Sequence, residues 1–162
     1  MSDTRRPLIT SGTAPQDECA LRPTSCVARH HATTLREAGL RPTRQRIGLA
    51  NLIFGKGDRH VCADLIGYEA SLLRLHVSMA TIYNTLHQFR DAGLLRAVVL
   101  DGTKLWFDTN TSDHHHFYCE QDGELKDIPA GSLSLGALPP PPPGMEIAGV
   151  EATVRLRPRR RG

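Results

Sequence analysis

The chain has 162 residues, a formal net charge of +3 and four cysteines. That length supports one or two small domains with a buried core and argues against a large enzyme. No run approaches the roughly 20 apolar residues that a bilayer span demands, so no membrane association is expected. Cys19, Cys26, Cys62 and Cys119 contain no C-x-x-C pair, which favours free thiols over a disulfide framework or a four-cysteine zinc site. The N-terminal stretch has basic residues but no continuous apolar segment, so an export signal is a poor reading and a cytoplasmic location is expected.

Charge is unevenly distributed. Residues 1–46 carry 8 basic and 4 acidic side chains, residues 47–154 carry 7 and 13, and residues 155–162 carry 5 arginines and no acid. A cationic surface at the ends, with acidic groups kept near a cation site, fits that pattern, as do simple solvated tails.

Residues 1–32 lack helical or strand periodicity and read as a flexible arm carrying Cys26, His30 and His31. A short helix is expected from Thr34 to Ala38, stopped by Gly39. A second, capped by Thr43, should run through Ile47, Ala50 and Phe54 to Gly55, and a third from Ala63 to Leu73, with Gly67 as an internal weakness. The strongest local signal runs from Ser78, an N-cap, to Gly93, a C-terminal stop. Met79, Ile82, Leu86 and Phe89 should form its buried stripe, leaving Ala80, Thr81, Tyr83, Asn84 and His87 outward. That face is polar and nearly uncharged, as suits base edges in a major groove.

Two strand candidates, Ala97–Leu100 and Lys104–Asp108, flank the turn Asp101-Gly102-Thr103, and Lys104 is placed to reach a phosphate. Helices followed by a hairpin make a winged helix. A second hairpin is expected from His115–Glu120 and Glu124–Ile128 around Gln121-Asp122-Gly123. A short helical or irregular segment and the stiff run Pro139–Pro143 then lead to a final strand over Met145–Leu156. The fold expected is therefore α+β: an arm over 1–32, a winged helix-turn-helix domain over 33–108, a small α/β dimerisation domain over 109–157 and a basic tail over 158–162. The second domain is marginal alone, so pairing with another copy is expected.

Asp113-His114-His115-His116 stands at a strand entry, where alternation turns His114 and His116 to one face and His115 to the other. Successive same-face positions, roughly 6.5 Å apart along a strand, let two imidazoles lean onto one cation, with His60 and Asp108 as further candidates. Imidazole suits iron, zinc, manganese and haem iron alike, and an added carboxylate favours harder divalent ions such as Fe2+ and Mn2+. Cys26 beside His30 and His31 is a further candidate haem ligand, with an inert exposed thiol as the competing reading.

Gly39-Leu-Arg-Pro-Thr-Arg-Gln-Arg46, Ser78-Met-Ala-Thr-Ile-Tyr-Asn-Thr-Leu86, Asp91-Ala-Gly-Leu-Leu95 and His114-His-His-Phe-Tyr-Cys119 together resemble the ferric uptake regulator family. Gly102-Thr-Lys104, Phe107-Asp-Thr-Asn110, Met145-Glu-Ile-Ala and Val154-Arg-Leu-Arg157 look closest to its iron response regulator branch. The resemblance implies a homodimeric repressor on palindromic double-stranded operators, with DNA contacts at Arg44, Ser78, Thr81, Tyr83, Asn84 and Lys104. It also implies a metal site between the domains on His60, Asp108, His114 and His116. In the iron response branch the run His114, His115 and His116 is associated with haem, which promotes release of DNA. Cys119-Glu-Gln-Asp122 lacks the second cysteine of the family's C-x-x-C and no histidine follows residue 116, which argues against a structural zinc.

The expected activity is control of iron and haem homeostasis genes, with DNA binding lost when iron or haem occupies the histidines. A metal-activated repressor of the same family (an iron, zinc or peroxide sensor) is the alternative. A small metalloenzyme is the reading from another class, and the chain has no H-E-x-x-H, nucleophile elbow or phosphate loop to support it.

Overall fold

The computed structural model describes residues 26–100, 104–129 and 131–159. Four helices come first: α1 (Cys26–Glu37), α2 (Arg44–Phe54), α3 (Ala63–Leu72) and α4 (Met79–Asp91), with the short strand β1 (His60–Val61) between α2 and α3. Strands β2 (Arg96–Val99) and β3 (Leu105–Asp108) follow, and then β4 (His115–Cys119), β5 (Glu124–Ile128) and β6 (Thr153–Leu156).

The helix boundaries follow from capping chemistry. Thr43 accepts a hydrogen bond from the Arg46 amide at 3.2 Å, and Ser78 one from the Thr81 amide at 3.1 Å. Gly39 and Gly93, at φ 73° in each case, end α1 and α4 where a side chain would strain the backbone. Leu40 and Leu94 then return their amides to the carbonyls of Leu35 and Phe89 and turn inward.

Three expectations need correction. Residues 26–32, read as arm, are helical and extend α1 by two turns, because His31 and Leu35 bury one face and the His31 ring lies 6.3 Å from Phe54. Propensity was a poor guide where tertiary burial decides. Met79 leaves the buried stripe of α4, which runs through Ile82, Thr85, Leu86 and Phe89. Met79 instead lies across Gly67, whose missing Cβ would sit 2.7 Å from its Sδ, so Gly67 is an accommodation for the α3–α4 crossing. The last strand is confined to Thr153–Leu156, and residues 131–152 contain no helix among those described.

The two sheets are β1-β3-β2 and β5-β4-β6. The first is antiparallel, and its β2–β3 pair is the wing; the Asp101–Thr103 turn lies outside the described residues. In the second, β4 pairs antiparallel with β5 and parallel with β6. The main apolar core belongs to the helices and first sheet, with Leu35, Leu49, Ile53, Ile66, Ile82, Leu86, Phe89 and Phe107 fully buried. Arg46 braces α2 against α4 by donating twice to Gln88 Oε1, at 3.1 and 2.6 Å.

The segment that delivers His60 is anchored by charge. Arg59 forks onto Glu69 of α3 at 3.1 and 2.8 Å, Lys56 reaches the same carboxylate at 2.8 Å, and the Arg59 amide donates to Thr109 Oγ1 at 2.8 Å. The Arg59 guanidinium holds the Glu69 carboxyl below its ordinary 4.5 despite burial. A depressed carboxyl stabilises the fold above its unfolded value and loses that contribution as pH falls. Glu69→Gln is therefore expected to cost about 1–2 kcal/mol at pH 7. In denaturant melts the gap to the unsubstituted protein should close as pH drops below the ordinary carboxylate range; a gap constant with pH would contradict this.

Candidate metal centre

Two rows of side chains, one from each sheet, meet at the centre. In the first sheet His60 of β1 and Arg96 of β2 both lie opposite Asp108 of β3. In the second, His116 of β4 lies opposite Asp127 of β5. His114, just ahead of β4, shares the His116 face, as strand alternation requires.

One carboxylate oxygen is the hub. Asp108 Oδ2 has the Nε2 atoms of His60, His114 and His116 around it at 3.3, 2.8 and 3.2 Å. Asp127 Oδ1 closes the other side, at 3.1 Å from His60 Nε2 and 3.4 Å from His114 Nε2. The five ligand atoms all lie within 4.8 Å of one another. His116 and Asp108 are 0% and 1% exposed, while the Asp127 side chain, at 38%, forms the rim.

Burial alone would raise the Asp108 carboxyl, but the close approach of His60, the Asn110 amide at 2.8 Å and His116 together hold it down at about 2. It is a carboxylate at any physiological pH. The imidazoles tell the rest: Nε2 of His60 and of His114 are buried without an aligned hydrogen-bond partner, although carboxylate oxygens stand close by. Proximity without donor–acceptor alignment, in a set of three nitrogens and two carboxylates, fits a divalent cation of the iron, manganese or zinc kind. A direct hydrogen-bonded cluster would satisfy those nitrogens.

The remaining expected residues fall elsewhere. His115 points away, its Nδ1 accepting from the Ala152 amide at 3.3 Å, so the three consecutive histidines do not act on one ligand. Cys26 lies at the exposed start of α1, lining a separate open groove of about 710 Å³ with His30, His31 and Phe54, and does not join the cluster. Cys119 Sγ lies 3.3 Å from Asp122 Oδ2. Arg44 opens α2 and is exposed; Tyr83 and Asn84 are exposed on α4; Lys104 is exposed beside the wing, its Nζ 4.9 Å from the Trp106 ring centre. Ser78 and Thr81 share a hydroxyl contact of 2.9 Å within the α4 cap.

Sequence reasoning missed Asp127. A strand running to Glu120 pairs Glu120 with Glu124 and sets Ile128 opposite His116. The observed partner of Glu124 is Cys119, because a four-residue turn ends at Gly123, φ 66°. That one-residue shift exchanges the faces and delivers Asp127 to the histidines. The hairpin register is thus the signal that would have found it.

Helices packed on a three-stranded sheet whose β2–β3 pair is the wing, joined to a second small sheet through a buried histidine–aspartate cluster, define a winged-helix protein with a candidate cation site between its sheets. The sequence pattern of the ferric uptake regulator family matches residues 37–134, more than half of the chain, and the protein belongs to that family. Among curated proteins, the peroxide-responsive repressor PerR of Staphylococcus aureus strain Mu50 is 36% identical over 95 residues, 59% of this chain and 64% of the relative; the same protein of strain USA300 matches equally. The chain thus spans a little under two thirds of those relatives. Solved structures share the fold, among them the ferric uptake regulator of Pseudomonas aeruginosa with manganese (TM-score 0.60, 22% identity, 80% of this chain and 98% of that one) and that of Vibrio cholerae (0.62, 19%, 78% and 98%). No helix among the described residues is long and apolar enough to cross a membrane.

Single alanine substitutions separate the two faces of β4. In Mn2+ titrations followed by electron paramagnetic resonance, Asp127→Ala and His114→Ala should weaken binding by more than the roughly 10–100-fold typical of an outer-shell loss. His115→Ala should leave it unchanged. Equal losses at 114 and 115 would contradict the arrangement.

Proposed function

We propose that this protein is a homodimeric, metal-ion-responsive transcription regulator of the cytoplasm, binding palindromic double-stranded DNA through α4 and requiring the cation for its tight-binding state. The observation that carries this reading is the origin of the ligands. His60 and Asp108 belong to the sheet of the helical module, whereas His114, His116 and Asp127 belong to the second sheet or its entry.

When bound, a divalent cation supplies the positive charge that balances Asp108 and Asp127 and accepts the imidazole lone pairs. His60 and Asp108 then hold the helical module against β4 and β5, and the orientation of α4 is fixed relative to the second sheet. In a dimer, two α4 helices so fixed present Tyr83 and Asn84 to successive major grooves, with Arg44 and Lys104 over phosphates. Ser78 and Thr81 contribute mainly by shaping the α4 N-terminus, since their hydroxyls are engaged there. The second sheet buries little apolar surface, chiefly Leu125 and Ile128, and Leu156 of β6 together with Leu135, Leu138, Met145 and Ile147 of the irregular segment before it stay exposed, which supports pairing with another copy.

This sign reverses the expectation that iron or haem releases DNA. Added links between the modules narrow their relative freedom, and a narrowed pair loses less entropy on docking to two half-sites. Haem needs an axial nitrogen beside a flat apolar slot, whereas five donors here crowd one enclosed point. An ion is the better fit, and the iron response branch keeps its support from sequence motifs alone.

The test is gel retardation on duplexes selected from random DNA by the protein itself, at fixed salt. Retardation should require Mn2+ or Fe2+, vanish with chelator, fail for Asp108→Asn even with metal, and ignore haem. Release on adding metal or haem would reverse the proposed sign, and metal-dependent turnover would revive the enzyme reading.

A further inference from the structure

Behind the ligands lies a polar chain that the metal site itself does not account for. His116 turns Nε2 to Asp108 and Nδ1 to Glu151, whose Oε1 stands at 3.2 Å. That Nδ1 is buried and has no aligned hydrogen-bond partner, so the Glu151 carboxylate is the group placed to satisfy it. An Nδ1–H held by a carboxylate leaves Nε2 as the free lone pair and raises its basicity, the usual support of a ligating histidine. The Glu151 backbone is held in place next door: His116 donates its amide to the Ala152 carbonyl at 3.0 Å, and the Ala152 amide reaches His115.

Glu151 is gripped in turn from the other module. Arg96 of the wing strand β2 places one guanidinium nitrogen 3.4 Å from Glu151 Oε2. Its second nitrogen donates to the Ser112 carbonyl at 2.9 Å and lies 3.3 Å from Asp113 Oδ1, immediately ahead of the ligand His114. The same Arg96 lies opposite the ligand Asp108 in the first sheet. Nearby, Arg155 of β6 donates to the Leu100 carbonyl at the outer end of the wing strand, at 2.6 Å.

We propose that Arg96 and Glu151 are positioning residues that join the wing to the cation site, Glu151 fixing the ligating face of His116 and Arg96 fixing Glu151. Because linkage is reciprocal, a bound cation tightens the wing as much as the wing's hold tightens the cation. The inference rests on the metal reading above, and deepens it by naming the route from site to wing.

Mn2+ affinity and amide hydrogen exchange, measured on the whole chain, test it together. Glu151→Gln should weaken Mn2+ binding about 10–100-fold. Glu151→Asp, which keeps the charge but withdraws it by one methylene, should also weaken binding and serves should the amide variant fold poorly. Arg96→Gln should weaken binding too, yet add nothing in a Glu151→Gln background, since both act through one contact. Arg96→Lys should restore only part, lacking the fork that spans Glu151 and Ser112.

In the unsubstituted protein Mn2+ should slow exchange of β2 and β3 amides. In Arg96→Gln at saturating Mn2+ that slowing should largely disappear, while α2 amides stay as protected as before; loss of protection in α2 as well would mark a merely structural defect and overturn the proposal. Additive affinity losses, or undiminished wing slowing in Arg96→Gln, would also overturn it. Should the unsubstituted chain take up no Mn2+, the metal reading falls and this inference with it. Uptake that Asp108→Asn abolishes but Glu151→Gln leaves intact would defeat the inference alone.

Discussion

The architecture turns on one carboxylate oxygen. Asp108 Oδ2 lies at the end of β3, almost wholly buried, with three imidazole nitrogens gathered from β1, from the entry to β4 and from β4 itself. An ionised carboxylate is expensive to bury and persists only where compensating charge or hydrogen bonds are supplied. Here the Asn110 amide supplies part of the compensation and side chains of two different sheets supply the rest, so the solvation of one aspartate and the docking of two modules are linked requirements. Weakening either disturbs the other.

That coupling explains why much of the centre was legible in the sequence. His114 and His116 follow from alternation at a strand entry, with no knowledge of the fold. His60 and Asp108 were within reach because one stands just before a helix and the other closes the hairpin that precedes the histidines. Asp127 was not legible, since its face depends on whether β4 ends at Cys119 or Glu120, and a single residue of register exchanges inside and outside. Glu151 was hidden more deeply. It reaches His116 only because β6 returns parallel to β4 after an irregular stretch of about twenty residues, a pairing no local pattern announces.

The helices divide in the same way. α2 and α4 carry their own boundaries in Thr43, Gly55, Ser78 and Gly93, and the structure uses each of them. α1 carries only its stop at Gly39, with no mark for its start, and extends back over residues 26–32 because His31 reaches Phe54 and Leu35 joins the apolar core. Met79 left its expected buried place for a reason of shape: Gly67 leaves a gap at the α3–α4 crossing that the flexible Met79 side chain covers from the rim, while Thr85, which the pattern did not assign, is buried. Periodicity finds the face of a helix, but its edges are set by the neighbour.

The second sheet exposes a further consequence. Its three strands bury Leu125 and Ile128 as their principal apolar contacts, while a completely buried side chain of its central strand is the imidazole of His116. A sheet this small gains little from apolar burial, and its innermost group is polar, bounded by Asp108 on one nitrogen and Glu151 on the other. Its packing against the wing therefore depends on how fully those charges are balanced, more than on hydrophobic area. A site that is also the centre of its module's packing cannot change occupancy without changing how firmly that module is held. On the proposed function, fold stability and ligand sensing are in that sense one property of the region between the sheets, while the helical module has an apolar core of its own.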